Sequence, residues 1–176
     1  MQSSFSIVRQ DQFIKATRDS GYKGTHSALS ELIDNSIQAG ASEVHIRLVA
    51  VEQEVLYGEG TTEQAKRIIE AALVVPPAPN LSAIPAGTKL KALYLTSKGE
   101  AYVDLSPEVQ KNHPGGTNSE MLTVYALVNT LTSNLPAITG VQLLIDGKEI
   151  DTLAGHLDLR RPIAQNLTYA NRQSNP

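Results

Sequence analysis

Cysteine is absent from this chain, which excludes disulfides, iron–sulfur clusters and thiolate zinc sites and leaves the redox compartment undecided. Tryptophan is absent too, and two phenylalanines and six tyrosines are all the aromatics there are, so a core must be built mainly from aliphatic side chains. There is no basic excess. Fifteen Lys and Arg against 18 Asp and Glu give a net charge of −3, which argues against a general nucleic-acid binder, because neutralising phosphates takes a basic face. No run of roughly 18 apolar residues exists, so no membrane span is expected. The opening Met1-Gln-Ser-Ser-Phe-Ser lacks the charged-then-apolar pattern of a signal peptide, and the expectation is a chain that stays in the compartment where it is made, cytoplasmic as expressed. Four scattered histidines form no metal-ligand cluster, and no solenoid-period repeat is present. The 176 residues suit one ordinary domain with a small appendage.

What is there begins with Ala28-Leu-Ser-Glu31-Leu-Ile-Asp34-Asn35-Ser-Ile-Gln38-Ala39-Gly40-Ala41. On a helix, Glu31 and Asn35 lie one turn apart on one face and Gln38 extends their row, while Leu29, Leu32 and Ile33 belong to an apolar stripe. A carboxylate and a carboxamide at that spacing suit a site where one activates water and the other holds hydrated Mg²⁺. With Asp34, these residues resemble the N-box of the GHKL ATPases (gyrase B, MutL, histidine kinases). That resemblance implies Glu31 as general base, Asn35 as Mg²⁺ ligand, and Asp34 and Asn35 as cofactor contacts. It stops near Val49. The family grips adenine with an Asp-x-Gly-x-Gly loop, and none of the later aspartates, Asp104, Asp146, Asp151 and Asp158, begins one. A base and half a metal site without a nucleotide pocket do not hydrolyse ATP, so residues 1–47 read as an incomplete ATPase-like fragment of β-α-α-β order, with Glu31 vestigial.

Further along, helix and strand signals alternate. A helix over 27–39 ends at Gly40, and Val44, Ile46 and Leu48 alternate as in a strand. Thr61-Thr-Glu-Gln64 reads as a capping box opening a helix that lines up Ala65, Ile68, Ile69, Ala72 and Leu73, stopped by Pro76-Pro77. Leu90–Thr96 and Ala101–Leu105 read as a hairpin around Ser97-Lys-Gly99, and Pro107–His113 as a helical turn. Thr117-Asn-Ser-Glu120 reads as a second capping box, starting a helix over 118–133 that carries Met121, Val124, Tyr125, Val128 and Leu131 inward, flanked by Leu122 and Leu127. Val141–Ile145 and Glu149–Leu153 flank Asp146-Gly147, a strong two-residue hairpin signal. Residues 164–176, rich in Gln, Asn and Ser, are expected to be a disordered tail.

Within this second part, Tyr57-Gly-Glu-Gly60-Thr-Thr-Glu-Gln-Ala65, Ile84-Pro-Ala-Gly-Thr-Lys-Leu90, Ala101-Tyr-Val-Asp-Leu-Ser106, His113-Pro-Gly-Gly116, Val128-Asn-Thr-Leu131, Val141-Gln-Leu-Leu-Ile-Asp-Gly-Lys148 and Thr152-Leu-Ala-Gly-His-Leu-Asp158 follow one another in order. Residues 48–163 thereby resemble a GerMN domain, the module named for sporulation and spore-germination proteins. The resemblance implies an α/β domain of α+β type, with helices packed on a small mixed or antiparallel sheet. It also implies a protein that binds or assembles rather than catalyses, with relatives that are exported or lipid-anchored in the bacterial envelope. Two departures stand out: no exported N-terminus, and ATPase-like sequence where the family's opening strand belongs.

Individual residues carry weaker signals. Gly115-Gly116 ahead of a helix presents N–H groups that suit an anion, yet a turn needing glycine's dihedral freedom explains the pair more simply. His113 beside them is a candidate contact, so His113, Gly115 and Gly116 form a candidate interaction loop. His156 and Asp158 are read as local hydrogen-bonding groups that pin the C-terminal segment. The expectation is thus a non-enzymatic protein-binding or assembly module of the envelope, needing no cofactor. Its partner would be a protein of envelope or spore assembly rather than nucleic acid or membrane, with homo-oligomerisation left open. The alternatives are an ATP- and Mg²⁺-binding protein using Glu31 and Asn35, and a chimeric or engineered chain without native function.

Overall fold

The computed structural model describes Gln38, Gly40, residues 54–56, Gly58, residues 60–76 and residues 81–169. The expectations for Glu31, Asp34, Asn35 and the strand Val44–Leu48 lie outside these residues. Gln38 is helical and Gly40 turns at a φ of 78°, as a helix ending at that glycine requires.

Alternating hydrophobicity and well-placed breakers produce the described elements. Helix α1, Gly60–Ala72, buries Ala65, Ile68 and Ile69, with Ala72 and Leu73 packed alongside. The helix begins at Gly60, so Thr61 lies inside it and the predicted Thr61–Gln64 capping box does not form; Gln64 instead accepts from the Gly58 N–H, upstream of the helix. Strands β1, Leu90–Leu95, and β2, Glu100–Leu105, form the predicted antiparallel hairpin, with an irregularity in register between Leu90 and Ala92. A short helix α2, Glu108–Lys111, and the long α3, Thr117–Asn134, carry the chain to β3, Gly140–Ile145, which lies parallel to β2. Asp146 and Gly147, at φ of 51° and 73°, then turn it into β4, Lys148–Glu149. The sheet order is β1-β2-β3-β4, mixed rather than all antiparallel. Such an α/β arrangement follows from the sequence: a parallel pair needs a crossover, and α3 supplies it.

One aliphatic cluster holds the layers together. Leu93, Ala101, Val103, Leu105, Val141 and Leu143 from the sheet meet Ile68 and Ile69 of α1 and Val124, Leu127, Val128 and Leu131 of α3. Burying each such side chain contributes roughly 1.5–3 kcal/mol.

Four expectations need correction. The fully buried stripe of α3 is Glu120, Thr123, Val124, Leu127, Val128 and Leu131, so Met121 and Tyr125 sit at its margin and Leu127 at its centre. The helix's N-cap is Gly116, and no side-chain capping bond forms there; Glu120 is directed elsewhere. The second hairpin is stunted: β4 has two residues, and farther along β3 it is Ile163 that pairs with Val141. Nor does the ordered chain end at Ala164, since Gln165 and Asn166 bond to α3 and residues 167–169 form a 3₁₀ turn.

Candidate functional site

The polar centre of the fold is Glu120. Its position one turn inside α3 places it on the same stripe as Val124, Leu127 and Leu131, so the helix delivers a carboxylate to a wholly buried site at 0% exposure. There it accepts hydrogen bonds from the loop after β4. Oε1 takes the N–H groups of Leu153 at 2.8 Å and Ala154 at 2.9 Å. Oε2 takes the His156 N–H at 2.8 Å and lies 3.2 Å from His156 Nδ1. Burial alone pushes this carboxyl up, but the N–H groups of Ala154, His156, Leu153 and Leu157 together outweigh it and hold Glu120 below the ordinary carboxylate range. The site is a charged peg in a backbone socket. Gln110 adds to it from α2, donating to the Leu153 carbonyl at 3.2 Å.

The segment after this socket is held in the same manner. Gln142 on β3, 2% exposed, donates to the Leu159 carbonyl. Val141 and Ile163 exchange backbone bonds at 2.9 and 2.8 Å. Asn129 on α3 reads Asn166 both ways, donating to its carbonyl at 2.7 Å and accepting its N–H at 3.0 Å. Asp158 and Arg160 chelate each other at 2.9 and 2.7 Å on the surface, which lowers the one pKa and raises the other. His156 does tie the C-terminal segment down, though through the distant Glu120 rather than a local partner; Asp158 bonds locally, to Arg160 on the surface, and sequence reasoning missed the peg itself.

His113, Gly115 and Gly116 are brought together at the start of α3. The Gly115 N–H donates to His113 Nδ1 at 3.0 Å, which makes Nδ1 the acceptor and puts the proton of the neutral ring on Nε2. Nε2 lies 3.4 Å from Thr123 Oγ1, whose hydroxyl donates to the Ala83 carbonyl at 2.7 Å. Gly115 and Gly116 adopt φ of 85° and 81°, so the turn itself demands glycine. Among the described residues no three metal-ligating side chains converge, and no helix is long and apolar enough to cross a membrane.

A shallow groove runs between α1 and the outer edge of β1, lined by Lys66, Glu70, Lys91 and Tyr94 among others. Tyr94 is 61% exposed there, and no described strand pairs with that edge of β1.

Fold and site together define a small mixed α/β domain organised around a buried polar peg. Comparison with known proteins narrows this. Residues 24–151 match the Germane family, described as sporulation and spore germination, and the chain belongs to that family. The match begins inside the ATPase-like stretch, and the GHKL resemblance finds no support in these comparisons. Among solved structures, a protein of Clostridium perfringens described as a lipoprotein superposes with a TM-score of 0.53 at 21% identity, covering 70% of this chain and 81% of its own. The first GerMN domain of the Bacillus subtilis sporulation protein GerM gives 0.49 at 23% identity over 62% of this chain and 82% of that one. The tandem GerMN domains of the same protein give 0.45 at 24% identity over 64% and 39%. No relative of curated function matches the sequence.

Proposed function

We propose that this chain is a non-catalytic protein-binding module serving sporulation or spore germination at the bacterial envelope. The observation that carries the reading is the family match over residues 24–151. The polar geometry supports it: the buried carboxylate of Glu120 is consumed by backbone N–H groups and spends its charge on holding a loop. Two surfaces are suited to a protein partner. One is the outer edge of β1, unpaired among the described residues, which offers backbone groups for strand addition beside the exposed Lys91 and Tyr94. The other is the His113–Gly116 turn.

Deleting the gene in the spore-former that encodes it should lower the yield of heat-resistant or germinating spores. Complementation by a Lys91→Glu, Tyr94→Ala variant should fail while that variant stays folded. Full complementation by it would remove the β1 edge from consideration, and normal spores after deletion would overturn the functional reading. Calorimetric titration with Mg·ATP should give no binding; micromolar binding abolished by Asn35→Ala would restore the ATPase-like alternative.

A further inference from the structure

We infer that residues 150–166 are a peptide ligand bound in cis: a detachable strap whose docking groove accepts the same segment from a second copy of the chain. The strap has almost no secondary structure of its own. Among the described residues, the Val141–Ile163 bridge is its one backbone pairing to the sheet. Among those same residues, the body's other hydrogen bonds to its backbone come from side chains, those of Gln110, Glu120, Asn129 and Gln142, while the strap braces itself through Leu159 N–H on the Asp151 carbonyl at 2.8 Å. Three apolar anchors accompany them: Leu153 at 3% exposure, Leu159 at 1%, and the half-buried Ile163. Few deep anchors, with the intervening backbone gripped by fixed polar groups, is how extended peptides are recognised between molecules. The clamp residues lie on α2, α3 and β3, elements whose own backbone pairing, that bridge apart, does not use the strap.

The link to the body is also suited to opening. Gly147 and both residues of β4 are exposed, and β4 makes the shortest pairing in the sheet. Residues attached through one shared centre open together as a cooperative unit. Glu120 holds three points of the strap, Leu153, Ala154 and His156, more than any other clamp, so its loss loosens the strap most.

The test inserts a protease recognition sequence after Gly147 in the full chain and cuts it. The expected result is a single folded species retaining both fragments, into which excess fluorescent peptide 148–169 exchanges over hours. Glu120→Gln should speed that exchange at least tenfold. Unfolding on cutting, failure of the peptide to enter even with Glu120→Gln, or an unchanged rate in that variant would each overturn the proposal. Hydrogen exchange on the uncut, unmodified chain gives an independent readout. The amides of Leu153, Ala154, His156, Ile163 and Asn166 should exchange with one common opening, ahead of those of Val124–Leu131. Unrelated rates among the five would refute the strap as a unit.

Discussion

Replacing Glu120 by alanine removes the acceptor for three backbone N–H groups at 2.8–2.9 Å. A buried donor deprived of its partner costs about 1–3 kcal/mol. Leu153 is buried but Ala154 and His156 are partly open to solvent, so those two recover part of their loss. The expected destabilisation is therefore about 3–5 kcal/mol rather than the full sum of three bonds. Glutamine separates charge from shape: its oxygen can still serve Leu153 and Ala154, while its NH₂ would oppose the His156 N–H. That substitution should cost about 2 kcal/mol. Urea unfolding followed by circular dichroism reads both, with the midpoint falling and the slope unchanged. For a chain of this size, 1 kcal/mol corresponds to roughly 2–4 °C in Tm, so alanine should lower Tm by about 6–20 °C. If both variants lie within about 0.5 kcal/mol of the parent, the level of an ordinary surface change, the reasoning about the peg is refuted.

Other outcomes follow from the same geometry. Because Glu120 titrates below its unfolded value, its contribution is complete above the ordinary carboxylate pKa of about 4.3 and is lost as pH falls through the lower folded value; unfolding free energy measured against pH should drop there, and less steeply in Glu120→Gln. Gly99→Ala would place a Cβ 2.5 Å from the Ala137 carbonyl at a φ of 82°, so a loss of at least about 2 kcal/mol is expected in thermal unfolding, and a neutral result would mean the β1–β2 turn relaxes freely. Asn129→Ala removes both bonds to Asn166; exchange of the Asn166 amide should rise at least tenfold while global stability falls by only about 1–2 kcal/mol.

Most of the scaffold was legible because period and punctuation agree. Ala65, Ile68 and Ile69 recur at helical spacing between Gly60 and Pro76, and the β1–β2 hairpin is bounded by Ser97-Lys-Gly99. The Glu120 peg was hidden by a local pattern that competes with a global one. Thr117-Asn-Ser-Glu120 has the spacing of a cap, and a carboxylate in a first turn is ordinarily solvated. The usable signal was phase. Once Leu127 is taken as the stripe's centre, stepping back four and seven residues lands on Thr123 and Glu120, polar residues that must then find partners indoors. Gln142 was masked in another way. It alternates outward from Val141 and Leu143, and only the passage of residues 157–163 beside β3 encloses it. Such long-range enclosure leaves no mark on neighbouring sequence. The body of the fold is therefore readable from periodicity, while the means of fastening its last turnings is not.

The outermost strand also bears on how the molecule behaves in a crowd. Lys91 stands where the register of β1 slips and leans over Asp146 at the far end of the sheet. A cation at a kinked margin is a poor template for stacking copies into fibrils, since each addition would have to bury an ammonium group beside another. Lys91 thus makes this margin of the sheet a poor seed for edge-to-edge stacking.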